Sequence, residues 1–356
     1  MSDSREELPP VREPTEETTE PACLLLDVSD FRMAGKVDEN GVHREMSLRI
    51  PRLSLRAGEI TAIIGGSGCG KSVLLSLLMG YPSFGIGGSL GVSSFSVFGK
   101  QLPRSAFRFP ETAAAWRRRM LRSGGLFYLP QTFPLAKTRG GDTLSAMVQV
   151  VQAMAFPARI SGRKASCLVT ASFERHQMQD ACLKKLGALS GGERRRAELL
   201  ARLIAMETAR RPSILVLDEP TTGFDPANAQ QFIRDVRTMI DEIVAMGIPA
   251  AALVSTHEMK SLDDRIDEGG RRVVDRVCVV NRDLQGPGDG DCTIVFDGIP
   301  EDVFPMFFDD EGEFSERSFA VDGDALFERI RERKSDEWVE RWLSQANEEK
   351  GTDHVS

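Results

Sequence analysis

Three short stretches of this chain combine residue types that can handle phosphate and a metal ion. In Gly65-Gly66-Ser67-Gly68-Cys69-Gly70-Lys71-Ser72, glycines permit the backbone angles at which successive N–H groups converge on phosphate oxygens, helped by the dipole of a following helix. Lys71 is of the type that reaches β- and γ-phosphates, and the Ser72 hydroxyl is of the type that binds Mg²⁺. A plain Gly-rich turn is the alternative, and the Lys-Ser pair at its end argues against it. Further on, Leu215-Val216-Leu217 closes on two adjacent carboxylates, Asp218-Glu219. Side-chain alternation should point them in different directions, Asp218 toward Mg²⁺ directly or through water and Glu219 toward an attacking water. Between these stretches, Ser190-Gly191-Gly192-Glu193 puts a hydroxyl and bare backbone N–H groups at a helix start. Such a start can face an anion, or it can simply cap its own helix with Glu193 in the first turn.

The elements that must carry these residues follow from periodicity. Ile60-Thr61-Ala62-Ile63-Ile64 is apolar on both faces, as buried parallel strands are, and Ser72 to Met79 reads as a central helix that is apolar nearly all round. Ser213 to Leu217 and Ala250 to Ser255 are further short apolar runs with polar C-terminal ends. Helical patterns over Glu193 to Ala209 and Ala229 to Met246 lie between them. Strands alternating with helices predict a mainly parallel sheet with ligands gathered at the strands' C-terminal ends. Leu24-Leu25-Leu26 reads as an edge strand, followed by alternation at Leu48, Ile50, Leu53 and Leu55. About 132–189 has helical composition, with a flexible opening at Lys137 to Gly141, and is expected as an inserted helical arm. Val273 to Val280 and Thr293 to Phe296 read as later strands.

Composition bounds the rest. The chain has 356 residues, 41% of them hydrophobic, enough for a substantial core. A net charge of -8 argues against a nucleic-acid partner. Local basic runs, Arg117-Arg118-Arg119 and Arg194-Arg195-Arg196, read as solvated helix faces. Six cysteines without CxxC spacing and four histidines give no zinc-type cluster and suit a reducing compartment. The segment 1–23, rich in Glu, Pro and Thr, reads as a disordered tail and not as a secretory signal. No window approaches the ~20 apolar residues of a spanning helix. From about Asp309 the chain is acidic and partly helical in pattern, with Trp338 and Trp342 on one face, and a solvated appendage is the simpler reading of it.

Taken in order, the phosphate loop, Leu189-Ser190-Gly191-Gly192-Glu193 and Asp218-Glu219 resemble the nucleotide-binding subunit of an ATP-binding cassette (ABC) transporter, across about 24–308. The resemblance implies an α/β fold of the P-loop NTPase, ABC ATPase type: a mainly parallel sheet core, an antiparallel β edge and an inserted helical subdomain. Gln131, in Tyr128-Leu129-Pro130-Gln131, looks like the glutamine that senses Mg²⁺ and the γ-phosphate. Asp225, in Thr222-Gly223-Phe224-Asp225-Pro226, looks like the aspartate that links the two sites of a dimer, and His257 like the switch histidine. Phe31 is the nearest candidate for stacking on adenine, and it could instead be core. Asp275 to Val280 and Asp297 to Glu301 resemble the family's closing strands, with an enlarged hairpin at about Asn281 to Cys292.

The resemblance also implies how these residues work together. Gly65 to Ser72, with Asp218, Glu219, Gln131 and His257, would hold ATP and Mg²⁺ against Ser190, Gly191 and Gly192 of a second subunit, identical or related. Separately encoded transmembrane permease subunits would be the partners, with the chain peripheral on the cytoplasmic face of a membrane. Export or lipoprotein release is the favoured direction. A soluble non-transport ABC-type ATPase acting on a protein partner is the runner-up, and a regulatory module that never turns over is disfavoured by Lys71, Asp218, Glu219 and His257.

Overall fold

The computed structural model describes residues 23–39, 42–65, 69–79, 90–91, 94–102, 115, 124–131, 141–155, 158–257, 262, 272–283 and 291–298. The N-terminal segment before Cys23, Gly66-Ser67-Gly68, Arg117-Arg118-Arg119, Lys137 to Gly140, the 284–290 connection, Ile299-Pro300-Glu301 and the acidic segment with Trp338 and Trp342 lie outside the described residues.

The strands are β1 Leu24–Glu39, β2 Val42–Arg56, β3 Ile60–Ile64, β4 Leu90–Gly91, β5 Ser94–Val97, β6 Lys100–Gln101, β7 Gly125–Leu129, β8 Ser213–Asp218, β9 Ala250–Thr256, β10 Arg276–Asp283 and β11 Asp291–Gly298. The helices are α1 Lys71–Leu78, α2 Thr143–Met154, α3 Gly162–Arg175, α4 Gln179–Leu183, α5 Gly191–Ala209 and α6 Pro226–Ala245, with a 3₁₀ turn at Leu186–Ala188. One sheet runs in the order β6-β5-β1-β2-β11-β10-β3-β9-β8-β7, with β4 paired to β1. From β10 through β3, β9 and β8 to β7 every pairing is parallel. The pairings among β1, β2, β5 and β6 are antiparallel.

Leu24-Leu25-Leu26 is therefore not an edge strand. β1 lies between β2 and β5, because Ser94-Phe95-Ser96-Val97 pairs on its outer side. That alternation, with Phe95 and Val97 buried and Ser94 and Ser96 half-buried, was the available signal, and it is short. The hairpin of β10 and β11 is longer than its apolar cores suggest, since Asn281 to Asp283 pair with Thr293 to Asp291.

Two apolar clusters lie on opposite faces of the parallel strands. Ile60, Ala62 and Ile64 of β3 join one, with Leu199, Leu203 and Met206 of α5 and Phe232, Val236 and Ile240 of α6. Ile63 joins the other, with Leu74, Leu75 and Leu78 of α1 and the inner faces of β1 and β2. This is the period-2 alternation of a strand covered on both sides. Each buried leucine of α1 contributes roughly 1.5–3 kcal/mol, enough together to fix the helix behind the phosphate loop. The described part of 132–189 is helical, and α2 packs Met147 and Val151, and α3 Val169 and Phe173, into the first cluster. No helix of the described residues is long and apolar enough to cross a membrane.

Candidate active site

Register brings the chemistry together. Ile64 pairs with Thr256, Asp218 with Ser255, and Leu129 with Leu217. Gly65, His257, Glu219 and Gln131 each follow one of these strand ends within two residues, so they emerge along one edge of the sheet.

The two described ends of the loop entering α1, Gly65 and Cys69-Gly70, are tightly built. A Cβ added at Gly65 would stand 2.3 Å from the Val280 carbonyl oxygen and 2.6 Å from Cys69 Sγ, so only glycine fits. Gly70 has φ of 103°, the left-handed region open to glycine. Lys71, buried, donates from Nζ to the Gly65 carbonyl at 2.8 Å, which ties the start of α1 to the end of β3.

Asp218 is buried at 4% exposure, and both its oxygens are occupied. Ser72 Oγ donates to Oδ1 at 3.2 Å, Ser255 Oγ donates to Oδ1 at 2.7 Å, and Tyr128 OH donates to Oδ2 at 3.0 Å. Ser72 and Asp218 thus present hard oxygen donors side by side, the donor type that Mg²⁺ takes together with phosphate oxygens.

Glu219 has a separate set of partners. Its carboxylate accepts from Gln131 Nε2 at 2.9 Å, stands 3.6 Å from Lys71 Nζ and 3.3 Å from His257 Nδ1, and has the Thr222 hydroxyl at 3.5 Å. Its backbone sits at φ 43°, a conformation that L-residues adopt at a cost. Two bonds from the Glu219 N–H hold it there, to the Ser255 hydroxyl at 2.9 Å and the Ser255 carbonyl at 3.2 Å. The two adjacent carboxylates therefore engage different partners, with Glu219 just beyond the strand's last residue, Asp218.

Ser190 and Asp225 bond elsewhere. Ser190 caps α5: its hydroxyl accepts from Glu193 N at 3.1 Å while Glu193 Oε2 accepts from Ser190 N at 2.8 Å, and Lys184 Nζ reaches Glu193 at 2.7 Å. That reciprocal cap is the plain alternative allowed by the sequence. Asp225 caps α6, accepting from Asn228 N at 3.0 Å. Gly191 would tolerate a Cβ with no described atom within 4 Å, and at Gly192 the nearest is Phe224 Cζ at 3.8 Å. Phe31 is fully buried, edge-on to Phe95, and belongs to the core instead of an exposed base platform.

One reading of the basic runs is corrected. Arg195 is no solvated face but is buried at 8% exposure. It bonds the carbonyls of Pro130, Pro220 and Asp218 at 2.7, 3.2 and 3.4 Å. The helix turns this position under the ends of β7 and β8, which a run of three arginines does not reveal. Tyr128 and Ser255 were also missed as site residues, because only strand register shows that they reach Asp218.

Residues 48–222, from β2 through the phosphate loop to the turn after Glu219, match the family model of the ABC transporter. Residues 48–222 are an ABC transporter domain. The ABC match runs through related proteins as well. The methionine import ATP-binding protein of Caulobacter vibrioides is 30% identical over 259 residues, 71% of this chain and 61% of that one. The phosphate import ATP-binding protein of Vibrio parahaemolyticus is 29% identical over 226 residues, 60% of this chain and 71% of that one. Among solved structures, cbiO1 from Clostridium perfringens, part of the ABC transporter complex cbiONQ, superposes with a TM-score of 0.50 at 20% identity, over 79% of this chain and 90% of that one. The α/β sheet with its antiparallel β1, β2, β5 and β6 and its helical α2 to α4 region is the ABC ATPase fold.

Proposed function

We propose that this chain is the ATP-hydrolysing subunit of a membrane transporter, working as a nucleotide-sandwich dimer with an identical or related ABC ATPase subunit. The observation that carries the reading is the Glu219 carboxylate gathered between Lys71, Gln131 and His257, next to an Asp218 held by Ser72, Ser255 and Tyr128. Those three groups around Glu219 are also the ones that would turn toward a γ-phosphate. Glu219 polarises the attacking water, Lys71 and His257 bind the γ-phosphoryl oxygens, and Gln131 bridges them. Gly65 to Ser72 cradle the phosphates through backbone N–H groups at the start of α1. Ser72 and Asp218, with Gln131 beside them, would hold Mg²⁺, which supplies charge neutralisation on the phosphate oxygens.

The second subunit closes the site. The open surface at Gly191 and Gly192 has no described packing partner that demands glycine, which supports close approach by a nucleotide bound to the other copy. Ser190 at the start of α5 and Asp225 at the start of α6 would face that subunit. Closing the pair excludes water and sets donors around the charge developing on the transferred phosphoryl group.

Transport follows from coupling the closure to membrane-spanning permease subunits encoded separately, with this chain peripheral on the cytoplasmic side. Export or lipoprotein release rests on overall sequence likeness, whereas the two relatives named above are import proteins, so import has the more specific support. Affinity purification from detergent-solubilised membranes tests the transport reading. A polytopic membrane protein bound in constant proportion is the expected result. Soluble partners alone would favour the non-transport ATPase instead.

A further inference from the structure

We infer that Arg195 is a positioning residue that holds Gln131 and Glu219 at their working separation and ties both to the start of α5. The inference rests on the reading of Glu219 as the group that polarises water. Five residues after the Ser190 cap, one planar guanidinium spans two loops. Nη1 donates to the Pro130 carbonyl at 2.7 Å, Nε to the Pro220 carbonyl at 3.2 Å and Nη2 to the Asp218 carbonyl at 3.4 Å. Pro130 immediately precedes Gln131, while Asp218 and Pro220 flank Glu219. The bond between Gln131 and Glu219 is therefore braced from behind at both ends by the same side chain.

The bracing extends one layer deeper along α5. Arg202, fully buried, donates from Nε to the Tyr128 carbonyl at 2.8 Å and from Nη1 to the Glu198 carbonyl at 2.6 Å. Tyr128 carries the phenol that donates to Asp218. Glu198, 1% exposed, stands 3.5 Å from Arg195 Nη1, so the buried cations have a carboxylate between them. Burial pushes Arg202 down to about 9, lowers Arg195 and raises Glu198, each against the pull of its opposite charge. Desolvating two guanidinium groups and a carboxylate is costly unless the geometry returns it in hydrogen bonds. Here most of the acceptors supplied are the backbone carbonyls beside the reacting groups, those of Tyr128, Pro130, Asp218 and Pro220. A lysine has no fork and could reach only some of them.

Arg195→Gln and Arg195→Lys are compared with the parent chain by kcat, by ATP affinity from titration with a fluorescent ATP analogue, and by ATP-dependent dimerisation. A loss of bracing is expected to lower kcat of Arg195→Gln by about tenfold or more, since small misplacements in a site are expensive. ATP affinity stays within about twofold and the dimer still forms, a kcat loss without a binding loss. Arg195→Lys falls between the two. Unchanged kcat in Arg195→Gln overturns the inference, as does a parallel loss of kcat, affinity and dimerisation in both variants. If Arg195→Gln does not fold, Arg195→Lys, which keeps the buried charge, decides by the same comparison. A parent chain that binds no ATP would instead remove the proposed function on which this inference rests.

Discussion

Glu219 and Asp218 are neighbours in sequence with different company, and that difference is the basis for predicting what their variants do. Glu219→Gln keeps the bond from Gln131 and removes the carboxylate. ATP affinity should stay unchanged, turnover should fall about 10²-fold or more, and a dimer with bound ATP should accumulate on size-exclusion chromatography. Normal turnover would remove Glu219 from its role. At Gly65 the prediction is structural: Gly65→Ala drives a methyl into the Val280 carbonyl and Cys69 Sγ, costing about 1–3 kcal/mol and visible as a lower melting temperature with weaker ATP binding. A melting temperature equal to the parent's would contradict the close approach. Sequence exposed most of the charged groups at this edge, because Lys71, Asp218, Glu219 and His257 sit at strand ends that apolar runs mark clearly. It did not expose Tyr128, Ser255 or Arg195. Their contacts depend on which strands are neighbours and on how far a helix is rotated, and neither is written in any local window.

Among the elements, α5 has the most to explain. It opens on a reciprocal cap, presents Gly191 and Gly192 outward, and buries Arg195, Glu198 and Arg202 beneath the sheet's working edge. The apolar periodicity of Leu199, Leu203 and Met206 was legible, whereas the charged residues on the buried side break the usual amphipathic pattern and read as surface. Glu193 ties the cap to Lys184, and these bonds, from Lys184 first and then the Ser190 N–H, hold its pKa below the ordinary carboxylate value. Such a carboxylate stabilises the fold fully above its unfolded value of about 4.3 and loses that contribution as pH falls through the lower folded value. Chemical denaturation from pH 6 down to pH ~3 should therefore show a smaller decline in stability for Glu193→Gln than for the parent. Parallel declines would mean that the Lys184–Glu193–Ser190 arrangement contributes nothing. The antiparallel side was the less legible part of the sheet. β5 and β6 are short, and their placement outside β1 is a matter of pairing.

At the scale of the whole molecule, the proposed function has the sheet edge bind a triphosphate and polarise water, and has Ser190 and the glycines after it face a second subunit. Ser190→Arg should accordingly leave ATP binding by the single chain intact and abolish turnover, because the added side chain would fill the surface where the other copy's nucleotide must seat. Turnover equal to the parent's would argue against a shared site. The most direct measurement of the central claim is the rate of ATP hydrolysis per chain over a dilution series of the purified protein. The account predicts that this specific rate rises with protein concentration toward a plateau as dimers form, in parallel with the dimer fraction seen by light scattering. A specific rate that stays constant on dilution into the range where only monomer is present would contradict it.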